Sequence, residues 1–179
     1  MSRFLCGALV ALLALGSSAA AQQSVPPASP TIGASAGGGA GIAVPVGSLA
    51  DTHTAGYTIE GLVDFSAADQ PYSFRAELIF QHYDKKSTAP IGTHSMNITS
   101  LGASVLIRSP QRQASSVFAL GGIAIYRLTD GGTKPGFNGG VGLEVPLTFF
   151  VGMADVRMHV ILTESRPSFT IPITLGARF

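Results

Sequence analysis

Serine, histidine and carboxylate side chains are the ingredients of nucleophilic hydrolysis, and His159, Glu164 and Ser165 bring them close together in one stretch of the chain. Ser165, however, stands beside Arg166-Pro167, where a serine is ordinary turn chemistry. His53, His82 and His94 are scattered without the spacing of a metal site and read as loop or interface residues. Gly33, Gly37, Gly38, Gly39 and Gly41 crowd another stretch, but no Gly-Lys-Ser/Thr ending and no helical pattern follows, which argues against a phosphate loop. Asn97-Ile98-Thr99 has the form of a glycosylation sequon, which means little inside a strand. The larger set is ionic. Glu60, Asp64, Arg75, Glu77, Glu144, Asp155, Arg157, His159 and Arg178 carry both signs and would form a salt-bridged network, or a path for protons or ions, if one interior gathered them. None of these residues calls for a cofactor.

The elements that could gather them are strands, because side chains alternate between two faces along a strand. In 57–65, Tyr57, Ile59, Gly61, Val63 and Phe65 oppose Thr58, Glu60, Leu62 and Asp64; in 72–83, Tyr72, Phe74, Ala76, Leu78 and Phe80 oppose Arg75, Glu77 and Gln81. In 137–147, Phe137, Val141, Leu143, Val145 and Leu147 oppose Asn138, Gly140, Gly142, Glu144 and Pro146. In 151–163, Val156, Met158, Val160 and Leu162 oppose Asp155, Arg157 and His159. A Gly-rich strand is expected at 32–46, where glycine allows tight coiling. The strand at 96–108 shows two phases, Met96 and Ile98 against Leu101, Ala103, Val105 and Ile107, which predicts a bulge near 99–101. The strand at 116–128 is apolar on both faces, and its sequence does not orient it.

The last strand, 169–179, is the cleanest. Phe169, Ile171, Ile173, Leu175, Ala177 and Phe179 share one face, and Thr170, Pro172, Thr174, Gly176 and Arg178 the other. At about 3.3 Å per residue it is roughly 35 Å long, enough to cross a bilayer at a tilt near 45°. Charged residues make up only 12% of the chain, low for a soluble surface, and Gly numbers 22. No segment after residue 21 is apolar for the roughly 18 residues that a spanning helix needs. A spanning chain without such helices must be a closed barrel, since lipid offers no partner to a free sheet edge. A soluble barrel would show water a face rich in Lys and Glu, whereas here the polar face is mostly Gly, Thr, Ser and a few charges of both signs.

An amphipathic final strand ending on Phe179, with Leu175 on the same face, resembles the assembly signal of bacterial outer-membrane β-barrels. The region 32–179 resembles the small OmpA/OmpX-like eight-stranded barrel domain. The resemblance implies an all-β, eight-stranded antiparallel up-and-down transmembrane β-barrel in the outer membrane of a Gram-negative cell. Its implied partners are outer-membrane lipid, the barrel assembly machinery and an extracellular ligand held by loops. Some small barrels of this kind deacylate lipid A with a Ser, a His and a carboxylate, which makes a hydrolase the enzymatic alternative to a structural or surface-interaction role; a narrow ion-conducting channel is the other. Eight strands leave an interior just filled by side chains, so no large pore is expected.

Arg3, the apolar run 4–15 and Ala19-Ala20-Ala21 together read as a signal peptide, 1–21, cleaved after Ala21, and Cys6 would leave with it. The Pro- and Ser-rich stretch 22–31 reads as an extended periplasmic lead-in. Without Arg3, ten basic residues balance ten acidic ones and no basic run suggests nucleic acid. Longer connections are expected at 47–56, 84–94 and 129–136, and shorter ones at 66–71, 109–115 and 148–150, with a short last hairpin at 164–168. That pattern would place both termini in the periplasm.

Overall fold

The computed structural model describes residues 32–67, 70–109, 115–129, 131–164 and 166–179; the expected signal peptide and lead-in, and Ser165, lie outside them. The alternating segments form eight strands: β1 (Ile32–Val46), β2 (Gly56–Ala67), β3 (Tyr72–Tyr83), β4 (Met96–Arg108), β5 (Ser116–Leu128), β6 (Gly132–Pro146), β7 (Val151–Ile161) and β8 (Ser168–Arg178). One helical turn, α1 (Ser48–Thr52), lies between β1 and β2. Each strand pairs antiparallel with the next, and β8 returns to β1, giving a closed up-and-down barrel. At the closing seam Ile42 lies opposite Ile173 and Gly37 opposite Arg178. Phe179 extends it, its N–H donating to the Ala36 carbonyl at 2.8 Å and the Ala36 N–H donating back at 3.2 Å.

Two sequence expectations need correction, and one strand left open is settled. β4 pairs with β3 without a break from Tyr72–Ile107 to Tyr83–Met96, so there is no bulge at 99–101. Ile98 keeps the inward phase of Ser100 and Ser104 and packs against Tyr83, Tyr126, Leu128 and Ile161. The two hydrophobic phases arise because the barrel interior is itself apolar at that end. The connection expected at 129–136 is mostly strand, since β6 starts at Gly132; Gly132 takes φ +69, a conformation that glycine adopts without strain. β5 is now oriented: Phe118, Leu120, Ala124, Tyr126 and Leu128 point in, and Val117, Ile123 and Ile125 point out.

The loop end of the interior is filled by Ala43, Leu49, Tyr83, Ile98, Ala124, Tyr126, Leu128 and Ile161, so α1 inserts Leu49 as a stopper. The connection holding α1 is bonded to the β3–β4 connection: the Thr54 N–H donates to the Asp84 carbonyl and the Lys86 N–H to the Thr52 carbonyl, both at 2.9 Å. A second apolar group, Leu106, Phe118 and Leu120, lines the β4–β5 wall. Val160 points outward yet is only 6% exposed, because Phe137 and Phe169 flank it on the neighbouring strands.

Two glycines show how crowded the interior is. A Cβ on Gly39 would stand 2.9 Å from the Leu175 carbonyl oxygen, and one on Gly142 would overlap the Phe118 ring. Gly61 faces outward with nothing within 4 Å of a built Cβ. Gly142→Ala should therefore lower stability by about 1–3 kcal/mol through overpacking, whereas Gly61→Ala should be neutral or slightly stabilising. Denaturant midpoints of the two variants in detergent check the contrast.

Candidate functional site

β2, β4, β6 and β8 each turn one charged residue inward near the terminus end, and the four close into a ring of alternating sign. Asp64 on β2 meets Arg108 Nη2 at 3.1 Å. Arg108 on β4 donates from Nε to Glu144 Oε2 at 2.9 Å and from Nη2 to Oε1 at 3.0 Å. Glu144 on β6 accepts from Arg178 Nη2 at 3.2 Å, and Arg178 on β8 returns to Asp64 at 3.6 Å. Arg75 on β3 joins the ring with a two-pronged bond to Asp64, Nε to Oδ1 at 2.7 Å and Nη2 to Oδ2 at 2.9 Å. The Arg75 guanidinium also lies 5.7 Å from the Phe118 ring centroid, which ties the ionic ring to the apolar wall.

Deeper in the barrel, Arg157 on β7 gathers three carboxylates. Its Nε and Nη2 donate to Asp155 at 2.8 and 3.0 Å, and its Nη1 reaches across the lumen to Glu77 at 2.6 Å. Glu60 Oε2 lies 2.9 Å from Nη2. Asn138 Nδ2 donates to Glu77 at 3.2 Å, Ser104 Oγ to Glu77 at 3.3 Å and Thr174 Oγ1 to Glu60 at 3.3 Å. All of these side chains are buried. Above them His159 is fully buried, its Nδ1 3.0 Å from the Tyr126 hydroxyl and its Nε2 without a partner.

The structure thus brings together Glu60, Asp64, Arg75, Glu77, Glu144, Asp155, Arg157 and Arg178, with His159 adjacent. It does not join His159 to Glu164, whose exposed carboxylate meets Lys134 at 2.6 Å outside the lumen. That hydrogen bond from Lys134 holds the Glu164 carboxyl below the usual carboxylate range. Among the described residues no set of three His, Cys, Asp or Glu side chains could hold a metal ion. His53 Nε2 lies 3.1 Å from the His94 carbonyl oxygen, and His82 Nδ1 lies 2.6 Å from Asn97 Oδ1, both at the loop end. Sequence reasoning missed Arg108. Its place on the face opposite Leu101, Ala103, Val105 and Ile107 was the signal that could have found it. The neutral partners Ser104, Asn138 and Thr174 gave no signal of their own.

Removing Arg157 would strand three buried carboxylates, so Arg157→Met should cost about 3–5 kcal/mol. Glu144→Ala should cost less, since Arg108 and Arg178 keep Asp64. Unfolding midpoints in detergent test this order.

No family model and no curated protein matches the sequence. Solved structures do. The Neisserial surface protein A crystal structure is 16% identical, with a TM-score of 0.62 over 83% of this chain and 97% of that one. The Yersinia pestis outer membrane protein Ail in a phospholipid bilayer nanodisc is 15% identical, with a TM-score of 0.49 over 82% of this chain and 99% of that one. A de novo designed transmembrane β-barrel gives 11% identity and a TM-score of 0.45, over 82% and 96%. At these identities the likeness is one of fold: the chain is a closed, antiparallel eight-stranded barrel, similar in fold to the Neisserial protein.

Proposed function

We propose that the protein is an integral barrel of a bacterial outer membrane, exported with cleavage after Ala21, with a structural or surface-interaction role and no large open pore. The outward face of the strands carries this reading. Along all eight strands, the outward positions hold a single charged side chain, Arg127, at the loop end of β5. Ile42, Ile59, Leu78, Leu101, Ile123, Val141, Val156 and Leu175 instead stand exposed around the girth, a surface that water would not tolerate and lipid would.

Aromatic residues mark the two edges of that belt. Tyr57, Phe80, Phe137 and Phe169 lie towards the loop end, and Phe65, Tyr72, Phe74, Phe149, Phe150 and Phe179 towards the termini, as the interfacial girdles of membrane barrels do. On this reading the loop end, with α1 and the 84–95 connection, faces outside and offers the surface for an extracellular ligand. Leu175 and Phe179 serve as the signal read by the assembly machinery. The burial of His159 against Tyr126, away from Glu164, favours a non-enzymatic role over lipid hydrolysis. The plug of buried ion pairs favours a closed lumen over an ion path.

Membrane fractionation combined with gel mobility before and after boiling is the direct test. A mature chain starting at Gln22 and migrating differently when boiled is expected, and a chain recovered in the soluble fraction would end the reading. Ile173→Arg, placing a charge at mid-belt, should cost roughly 2–4 kcal/mol in bilayers. Equal tolerance of Arg at 173 and at the exposed position Thr133 would count against lipid contact. Planar-bilayer recordings should show no discrete conductance steps.

A further inference from the structure

Five carboxylates and four guanidiniums make up the buried ion-pair network: Glu60, Asp64, Glu77, Glu144 and Asp155 against Arg75, Arg108, Arg157 and Arg178. The terminus-end ring, with Arg75, has more cations than anions, so the deficit falls on the middle layer, where Arg157 alone faces Glu60, Glu77 and Asp155. His159 makes no salt bridge, since its Nδ1 faces the Tyr126 hydroxyl. Lys134 is engaged by Glu164 at the mouth. An unbalanced charge buried away from water is strongly disfavoured and is removed by neutralisation.

We propose that one proton brings the network to charge balance, leaving the middle layer with a single negative charge that offsets the extra cation of the ring, and that Glu60 holds it, making Glu60 a buried proton-binding site at neutral pH. Hydrogen-bond geometry selects Glu60 from the three. Asp155 accepts two N–H bonds from Arg157, and Glu77 accepts from Arg157, Asn138 and Ser104. Glu60 receives one hydrogen bond, a long one from the Thr174 hydroxyl; its 2.9 Å approach to Arg157 Nη2 lacks hydrogen-bond alignment, because Nη2 is aimed at Asp155. A proton on Oε1 would suit Thr174, whose oxygen accepts as readily as its hydroxyl donates.

The elements around Glu60 supply no further cation. β3 presents Glu77 and Arg75, β7 presents Arg157 and Asp155, β8 presents Thr174, and β1 presents only Gly39. Even a single Cβ on Gly39 would come within 3.1 Å of Glu60 Oε1, so the backbone lies flush against the carboxyl and leaves no room for a hydrated metal ion. The inference rests on the filled-lumen reading, which conductance recordings test separately.

The experiment is infrared spectroscopy of the full mature chain, refolded in detergent at neutral pH in H2O and in D2O. A carboxylic-acid C=O stretch that shifts on deuteration is expected in the wild type, lost in Glu60→Gln and kept in Glu77→Gln. Glu60→Gln, an isostere of the protonated acid, should keep the wild-type denaturant midpoint, while Asp155→Asn should lower it. Because the folded barrel holds a proton that the unfolded chain releases near neutrality, the wild-type midpoint should fall as pH rises, and Glu60→Gln should flatten that slope. Absence of the band from the wild type, its survival in Glu60→Gln, or a midpoint that follows sodium concentration instead of pH would overturn the proposal. Should Glu60→Gln fail to fold, the band and the pH slope of the wild type decide.

Discussion

Backbone closure between β1 and β8 is the constraint on which the rest depends. A sheet in lipid cannot leave a row of unpaired N–H and C=O groups, so the last strand must find the first. With eight strands the circle is narrow, and its inner wall has no room for a second layer of packing. β1 meets this limit with glycine at 37, 39 and 41, where side chains would collide with the β8 backbone. Arg178 can then occupy the lumen opposite Gly37 without a competitor. Closure thereby decides both where side chains must vanish and where long ones can extend.

The narrow interior also explains the choice of arginine. Arg157 hydrogen-bonds Asp155 and Glu77 and stands within ion-pair distance of Glu60, reaching three strands with one planar group, and Arg108 serves Asp64, Glu144 and Ser73 together. A lysine at either place would offer a point charge without the fork that matches two carboxylates at once. Arg75 supplies a stacking face as well, over Phe118. The apolar stopper at the loop end completes the arrangement: Leu49 and its neighbours keep water from the charges below, so their pairing must be internal.

The sequence made the architecture legible because an apolar outer wall and polar groups inside give strands a clean period of two. β2, β3, β6, β7 and β8 could be oriented from single residues such as Arg75 and Glu144. The signal failed where the interior is apolar. Phe118, Leu120, Tyr126 and Leu128 made β5 look the same on both faces, and Ile98 gave β4 a false second phase. The charged residues themselves were legible, but which carboxylate meets which guanidinium depends on strand stagger, which period two does not encode. α1 was illegible for another reason: a single turn has too few residues to show a period.

Ionic contacts that cross the lumen therefore hold information that the hydrophobic pattern lacks. Slipping one strand by a single residue would turn its charges onto the apolar outer face and its aliphatics inward, a gross error that composition alone forbids. A slip by two residues preserves every face and is forbidden by nothing outside the barrel. Within one strand, Arg157 and Asp155 stay paired whatever the register. Arg157 to Glu77, between β7 and β3, and Arg108 to Glu144 and Asp64, linking β4 to β6 and β2, survive only one stagger. A two-residue slip would separate each of these pairs by about 7 Å, given the rise per residue of a strand, and leave buried charges uncompensated. The buried network thus acts less as a source of net stability than as the device that selects one barrel from those sharing the same faces.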